Sequence, residues 1–335
     1  MELIRRRAYA RAGLIGNPSD GYNGKTIAVI VRNFWAEITL YEWDRLEIVP
    51  SPNDESVFRS IHELTKDVRL HGYYGGIRLV KAAIKGFADY CTQRGLRLHE
   101  RNFSIRYETN IPRQVGLAGS SAIVIAALRA LMDFYGVVVP KPVLPSFVLS
   151  IEKDQLGITA GLQDRVAQIY EGCVFMDFAV DSMRAEDGFV GGVYEPLPPE
   201  LLPPLYVAYS TEFGEPTEIF HNDLRYRFDG GEAAVVDAMK TFAELTVQLK
   251  TALLSGEKDK IGSLLDANFN LRRSICRLPQ EHLLMIETAR ACGASAKFAG
   301  SGGAIIGTYP DEAAFECLRT EMLNIGCSIV KPIVS

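Results

Sequence analysis

Apolar and polar positions form regular patterns along the first hundred residues. Three runs of β-branched or alternating apolar residues, broken by Gly, Asn and Pro, predict strands at residues 8–15, 26–31 and 34–40. Between residues 76 and 90 the apolar positions return every three or four residues, which predicts an amphipathic helix. Residues 103–108 alternate again and predict another strand, so this part of the chain mixes strands with one helix.

The same patterns predict the remaining elements. Helices are expected at about 120–135, 144–156, 161–170, 232–254, 258–275, 280–292 and 311–325, and strands at 173–178, 205–209, 304–309 and 327–334. A serine oxygen can accept a free backbone N–H of a first helical turn, so Ser120 or Ser121 is the expected cap of its helix. Strands and helices in this order predict an α+β protein with two lobes.

A proline-rich segment marks the expected boundary between the two lobes. Residues 195–204 contain five prolines in ten positions, which is typical of a linker. We therefore expect one domain over residues 1–195 and a second domain over residues 205–335.

Composition and charge narrow the class of protein. The chain has 335 residues, of which 47% are hydrophobic and 23% charged, and a formal net charge of −5. These values are ordinary for a globular protein, and the acidic excess argues against nucleic-acid binding as its main role. The longest apolar stretch, residues 122–132, is interrupted by Arg129 and is shorter than the roughly 20 residues that span a bilayer. No apolar signal segment follows the basic N-terminal residues, so we expect a cytoplasmic protein with no membrane or nucleic-acid partner.

Cysteine and histidine positions argue against a disulfide framework and a zinc site. The six cysteines, at positions 91, 173, 276, 292, 317 and 327, form no CxxC pair, which predicts reduced, buried thiols. The five histidines are scattered, without HxH or HExxH spacing. The chain also lacks a GxSxG nucleophile motif and a GxGxxG dinucleotide motif.

Three segments are candidates for chemistry. Residues 112–122 are rich in small residues and run straight into an apolar helix, an arrangement that can bind phosphate through backbone N–H groups. A capped core helix with a flexible entry would have the same pattern. Residues 300–303 form a glycine cluster that could equally be a tight turn, and Asp164 lies in the first turn of a helix, where the helix dipole alone favours an acid.

Together, these segments resemble the motifs of the GHMP kinases, the family of galactokinase, homoserine kinase, mevalonate kinase and phosphomevalonate kinase. Residues 8–20 resemble the N-terminal motif of the sugar kinases in this family, residues 112–122 the phosphate loop, residues 161–164 G-x-x-D, and residues 297–303 the C-terminal glycine loop. The resemblance implies an N-terminal ribosomal-protein-S5-like α/β domain with the phosphate loop and catalytic aspartate. It also implies a C-terminal ferredoxin-like α+β domain with the glycine loop.

The resemblance implies a role for each matching residue, with ATP and Mg²⁺ as the cofactors. Asp164 matches the catalytic aspartate, and Arg11 would keep it ionised and stabilise the transferring phosphoryl group. Ser120 and Glu152 match the metal ligands. The residues that would bind the ATP phosphates are Pro112, Gln114, Val115, Gly116, Leu117, Ala118, Gly119, Ser120 and Ser121. Those that would bind the substrate are Asp20, Arg11, Asp164, Gly300, Ser301 and Gly302.

Within the family, five stretches resemble the plant-type glucuronokinases: residues 11–20, 72–76, 110–114, 161–168 and 297–303. This resemblance implies phosphorylation of D-glucuronate at its anomeric oxygen, giving glucuronate 1-phosphate for UDP-glucuronate salvage. Phosphorylation of another sugar, galactose-like or manno-heptose, and a ligand-sensing protein without catalysis are the alternatives.

Three departures from the family pattern concern the substrate and the loops. Asn17-Pro18 replaces the Glu-His pair of galactokinases and argues against galactose, while Gln114 and Ala299 replace a glycine and a hydroxyl residue. A uronic acid also needs a cation for its carboxylate, preferably a bidentate arginine. The sequence leaves six candidates, Arg6, Arg7, Arg113, Arg165, Arg272 and Arg273.

Overall fold

A computed structural model describes residues 3–50, 54, 75–158, 160–210 and 224–335. The strands are Leu3–Ile15 (β1), Lys25–Trp43 (β2), Glu47–Val49 (β3), Asn102–Thr109 (β4), Cys173–Asp177 (β5), Arg184–Glu186 (β6), Phe189–Gly191 (β7), Val193–Leu197 (β8), Leu205–Ser210 (β9), Lys297–Phe298 (β10), Ala304–Thr308 (β11) and Cys327–Val330 (β12). The α-helices are Gly76–Gln93 (α1), Gly119–Tyr135 (α2), Leu144–Ser150 (α3), Gln163–Tyr170 (α4), Ala233–Leu254 (α5), Asp259–Ile275 (α6), Gln280–Ala291 (α7) and Glu312–Asn324 (α8). Residues 72–74, part of one glucuronokinase-like stretch, lie outside the described residues.

The long antiparallel pair β1–β2 organises the larger sheet. Strand β2 pairs with β1 along one edge, while its start pairs with β5 and its end with β4 on the other edge. The strands predicted at 26–31 and 34–40 are both part of β2. A register shift opposite Tyr9 and Ala10 leaves residues 32–34 of β2 unpaired with β1, and this bulge interrupts the apolar alternation.

A smaller antiparallel sheet lies in the C-terminal part of the chain, in the order β10–β11–β9–β12. Along the chain, the last strand of the larger sheet ends at Leu197 and the first strand of the smaller sheet begins at Leu205. Most of the proline-rich segment lies between these two residues. Part of that segment is strand β8, contrary to the linker prediction. Pro196 is tolerated there because β8 pairs only with β5, at the edge of the sheet. The division into domains 1–195 and 205–335 stays a prediction.

One apolar core extends across both sheets. Helix α2 packs on β1 and β2, and its apolar run is almost completely buried, which explains the stretch at residues 122–132. The same cluster joins Ile27 and Val29 of β2 to Leu249 of α5, Leu265 of α6 and Ile306 of β11. The α+β fold predicted from the sequence is confirmed, and the chemistry-bearing loops lie around this core. Among the described residues, no helix is long and apolar enough to cross a membrane.

One local prediction about a helix is wrong, and a second predicted helix is confirmed with a change of geometry. The residue that precedes α2 is Ala118, in the left-handed region at φ 60° and with no side-chain cap, so neither Ser120 nor Ser121 is the cap. The helix predicted at 144–156 changes from α to π geometry at Ile151. Single π turns are frequent at functional sites, and this one contains Glu152.

The cysteine prediction is wrong for two of the six residues. Cys292, directly after α7, and Cys317 in α8 form a disulfide with a Cα–Cα distance of 5.7 Å. Cys91, Cys173 and Cys327 are free and buried, and Cys276 is half-buried. Sequence spacing gave no sign of the pair because the packing of two helices, not a Cys motif, brings the two sulfurs together.

Candidate active site

The phosphate loop, residues 112–122, follows β4 and includes the first turn of α2. Gln114, Gly116 and Ala118 all have positive φ, at 57°, 73° and 60°. Backbone that alternates in this way turns its N–H groups into a concave surface that binds anions, and the N-terminus of α2 adds its dipole. A glycine at position 114, as in the family motif that this loop resembles, would adopt this φ at lower cost. The loop therefore has the geometry of a phosphate cradle.

Arg11 of β1 joins helix α4, the phosphate loop and the segment before the glycine loop. It is buried, and its Nε donates to Asp164 Oδ1 at 2.6 Å. Its Nη1 donates to the carbonyl of Gly116 in the phosphate loop at 2.5 Å and to that of Ala299, before the glycine loop, at 3.2 Å. The predicted Arg11–Asp164 pair thus lies between the phosphate loop and the glycine loop, which is residues 300–303.

Helix α4 supplies several polar groups to the site from two turns. Asp164, with a side chain that is 23% exposed, faces Arg11. One turn later, the Gln168 Nε2 donates to the carbonyls of Tyr9 and Ala118, both at 2.9 Å. Gln168 was not predicted as a site residue, although its spacing of four from Asp164 places both on one helix face. Its two bonds hold the left-handed Ala118 of the phosphate loop against β1.

Glu152 is completely buried in the π turn between α3 and α4. Its Oε1 accepts from the Ser121 hydroxyl at 2.8 Å, and its Oε2 accepts from the Arg165 Nε at 2.5 Å. Burial raises the pKa of Glu152, while Arg165 and Ser121 oppose that shift. Arg165 also lies 3.6 Å from Asp164 Oδ2 through Nη1. Asp164 therefore lies between two guanidinium groups.

Asp20 lies in a 3₁₀ turn, Ser19–Tyr22, that faces the start of α4. Its carboxylate accepts the backbone N–H of Gln163, and burial together with Asp164 raises its pKa to about 7, with Arg11 opposing. A Cβ on residue 161 would lie 2.3 Å from Asp20 Oδ2, so this close approach requires Gly161. The structure thus brings the predicted sugar ligand beside the predicted catalytic carboxylate.

The glycine loop touches the phosphate loop backbone to backbone. A Cβ on Gly300 would lie 2.3 Å from the carbonyl oxygen of Gly116, so only glycine permits this contact. Buried Arg272 of α6 holds the loop by donating to the carbonyls of Gly300 and Ser301 at 2.7 and 2.8 Å. Burial lowers the pKa of Arg272 to about 10. The ring of His282 lies against Gly302, a contact that the scattered histidines did not predict.

Lys297, at the start of the last family-like stretch, is a buried amine that connects β10 to β1. Its Nζ donates to the carbonyls of Gly13 and Phe298 and to Asn17 Oδ1, at 2.6–2.7 Å. Burial, with Arg272 and Arg11 nearby, lowers its pKa well below the ordinary value. Asn17, which replaces a sugar contact of galactokinases, thus contacts Lys297.

Of the two expected Mg²⁺ ligands, Ser120 fits that role and Glu152 does not. Ser120 lies half-buried in the first turn of α2, where a hydroxyl can join phosphate oxygens around a cation. The Glu152 carboxylate instead has a hydroxyl on one oxygen and a guanidinium on the other. A cation at this carboxylate would meet the positive charge of Arg165, so Glu152 does not fit a ligand role. In the described ranges, no group of three or more His, Cys, Asp and Glu residues is arranged to hold a metal.

The six arginines considered for the substrate carboxylate have different surroundings. Arg6 pairs with Asp133, Arg7 with Glu37 and Arg165 with Glu152, while Arg272 binds the glycine loop and Arg113 and Arg273 are exposed. Arg165 is 2% exposed and bound to Glu152, which argues against its role in holding a sugar acid.

This chain is similar in sequence and in fold to several known proteins. A family model described as GHMP kinases N terminal domain matches residues 78–172. Glucuronokinase 1 of Arabidopsis thaliana is 43% identical over 315 residues, which cover 92% of this chain and 85% of that protein. Probable glucuronokinase 2 of the same plant is 41% identical over 339 residues, covering 99% and 91%. The fold is similar to that of Lactococcus lactis galactokinase complexed with galactose, with a TM-score of 0.77, 17% identity and coverage of 100% and 94%.

Proposed function

We infer that this chain, which belongs to the glucuronokinase group of the GHMP kinases, transfers the γ-phosphoryl group of ATP to the anomeric hydroxyl of D-glucuronate. The products are glucuronate 1-phosphate and ADP. The observation that carries this proposal is the Arg11–Asp164 pair beside the phosphate loop, in a chain 43% identical to Glucuronokinase 1. The expected cytoplasmic location stays a prediction.

The reacting groups have complementary roles in this proposal. Asp164 accepts a hydrogen bond from the anomeric hydroxyl, orients its oxygen toward the γ-phosphorus and is positioned to take its proton. The anomeric O–P bond forms as the bond from the γ-phosphorus to the β-phosphate oxygen breaks, and the electron pair leaves with ADP. Arg11 pairs with Asp164 and stabilises charge on the transferring group. Asp20 accepts a hydrogen bond from a second sugar hydroxyl.

The donor nucleotide is held mainly by backbone. The N–H groups of residues 115–121 bind the β- and γ-phosphates, and the glycine loop closes the site from the other side. We propose that Mg²⁺ accompanies ATP, with the Ser120 hydroxyl as the protein ligand that fits. The cation, when bound, neutralises charge on the phosphate oxygens.

The experiment that tests this proposal measures ADP release from MgATP across a panel of free sugars, followed by ³¹P NMR of the product. An anomeric phosphate formed from glucuronate, and formed at least about 100-fold more slowly by Asp164→Asn, is the expected result. Turnover of a neutral sugar but not of glucuronate would refute the assignment of glucuronate as the substrate. The proposed reaction, phosphoryl transfer from ATP to a sugar, would still stand. ATP binding without turnover of any sugar would refute catalysis and favour the ligand-sensing alternative.

A further inference from the structure

A chain of polar contacts runs from the phosphate-loop helix to Asp164. The Ser121 hydroxyl in the first turn of α2 donates to Glu152, and Glu152 accepts from Arg165. Arg165 then donates through Nη1 to the carbonyl of Gly161 at 2.9 Å and lies 3.6 Å from Asp164. Ser121, Glu152 and Arg165 are each at most 2% exposed. The buried pair of Glu152 and Arg165 thus links α2 to the start of α4.

We propose that Arg165 is a positioning residue of the phosphoryl transfer and that Glu152 is its counter-ion rather than a magnesium ligand. This inference rests on the proposed kinase function. Arg165 fixes the first turn of α4 by binding the backbone just before the helix and the carboxylate beside the phosphate loop. Asp164 is therefore held at a set distance from the phosphates.

The direction of the two neighbouring side chains supports this role. Consecutive residues of a helix point about 100° apart, so Asp164 faces Arg11 while Arg165 turns into the protein toward Glu152. A guanidinium offers several donors in a rigid planar fork, and here that fork reaches Glu152 and Gly161 together. A lysine would keep the charge but could not make these contacts at the same time.

The surroundings of Glu152 are those of a paired structural carboxylate. Both of its oxygens already accept hydrogen bonds from buried donors, and no part of the residue is exposed. A magnesium ion keeps several water ligands and binds beside substrate phosphates. A magnesium ion could bind the Glu152 carboxylate only by displacing Arg165, and Arg165 would then lose its buried counter-charge.

Three variants separate positioning from metal binding: Glu152→Gln, Arg165→Lys and the double variant Arg165→Gln/Glu152→Gln. The double variant removes both charges, because Arg165→Gln alone would leave a buried unpaired carboxylate and risks misfolding. The partly exposed pair Arg94–Asp187, between α1 and the β6–β7 turn, provides the control Arg94→Gln/Asp187→Asn. For each protein, kcat and KM for ATP are measured, and Mn²⁺ binding in the presence of ADP is measured by electron paramagnetic resonance.

The inference predicts that Glu152→Gln binds Mn²⁺ with ADP within about twofold of the unmodified protein. It also predicts that Arg165→Lys and the double variant lose about 10- to 100-fold in kcat, with KM for ATP little changed. A tenfold or larger loss of Mn²⁺ affinity in Glu152→Gln would make Glu152 a metal ligand and overturn the inference. A folded double variant, or Arg165→Lys, with the unmodified kcat would overturn it as well.

The failure of the proposed function has a different signature. It would appear in the unmodified protein, as a lack of glucuronate turnover, whereas the positioning role appears only in the variants. The kcat comparison can use whichever sugar the unmodified protein phosphorylates, and Mn²⁺ binding with ADP needs no sugar.

Discussion

The carboxyl group of Asp20 should make the stability of the protein depend on pH in an unusual direction. Its pKa rises from 3.8 to about 7, because the group is buried and Asp164 lies nearby. The carboxyl group of Asp20 therefore binds its proton more tightly in the folded protein than in the unfolded chain. The contribution of Asp20 to the free energy of unfolding is favourable below about pH 4 and is lost as the pH rises toward about 7. Asp20→Asn should remove this dependence, since an amide stays neutral throughout.

The size of the effect follows from the shift. About three pKa units, at about 1.4 kcal/mol each, give an upper limit of about 4 kcal/mol. Asp20 is only half-buried, so solvent screening should reduce the effect to about 2 kcal/mol. Asp20→Asn should thus match the unmodified protein below about pH 4 and exceed its free energy of unfolding by about 2 kcal/mol near pH 8.

Urea denaturation of both proteins, without sugar or nucleotide, measures this difference across the pH range. The exposed Asp181 provides a matched control, and Asp181→Asn should leave the pH dependence of the unfolding free energy unchanged. If Asp20→Asn and the unmodified protein gave parallel stability curves between about pH 4 and about pH 8, the argument from burial and Asp164 would be refuted.

Three further substitutions test other contacts of the site. Asp164→Asn should lower kcat by about 10²- to 10⁴-fold and leave ATP binding intact, as measured by calorimetry; unchanged turnover would remove Asp164 from its role. Gly300→Ala would bring a Cβ to 2.3 Å from the Gly116 carbonyl, so kcat/KM should fall by at least about tenfold, and an unaffected value would mean that the loops do not meet during catalysis. Gln168→Leu should raise KM for ATP severalfold by releasing Ala118 from its bond, whereas a lower stability with normal KM would contradict that coupling.

Much of the fold could be predicted because apolar periodicity reports local structure directly. The run at residues 122–132 predicted a buried helix, and α2 is that helix. The long strand β2 was divided in two because its bulge at residues 32–34 breaks the alternation while the pairing with β1 continues beyond it. Strands β6 and β7 were not predicted, since strands of three residues are too short for a periodic signal.

The candidate site was predictable where residues repeat a family motif, as for Arg11 and Asp164. It was not predictable where partners come together only through tertiary packing. Nothing in the sequence pairs Glu152 with Arg165 rather than with a cation, because the π turn that buries Glu152 has no sequence signature. The contact of His282 with Gly302 depends in the same way on how α7 packs against the glycine loop.

The apolar core shared by the two sheets determines how this protein can be divided into fragments. Cleavage in the proline-rich segment would separate Ile27 of β2 from Leu249 of α5 and Ile306 of β11, exposing an apolar face on each piece. The Lys297 amine would also lose its acceptors on Gly13 and Asn17. We therefore expect each fragment to be less stable alone than as part of the intact chain. The segment between Leu197 and Leu205 is therefore a natural point for a split-protein reporter, in which kinase activity returns only when the two halves reassociate.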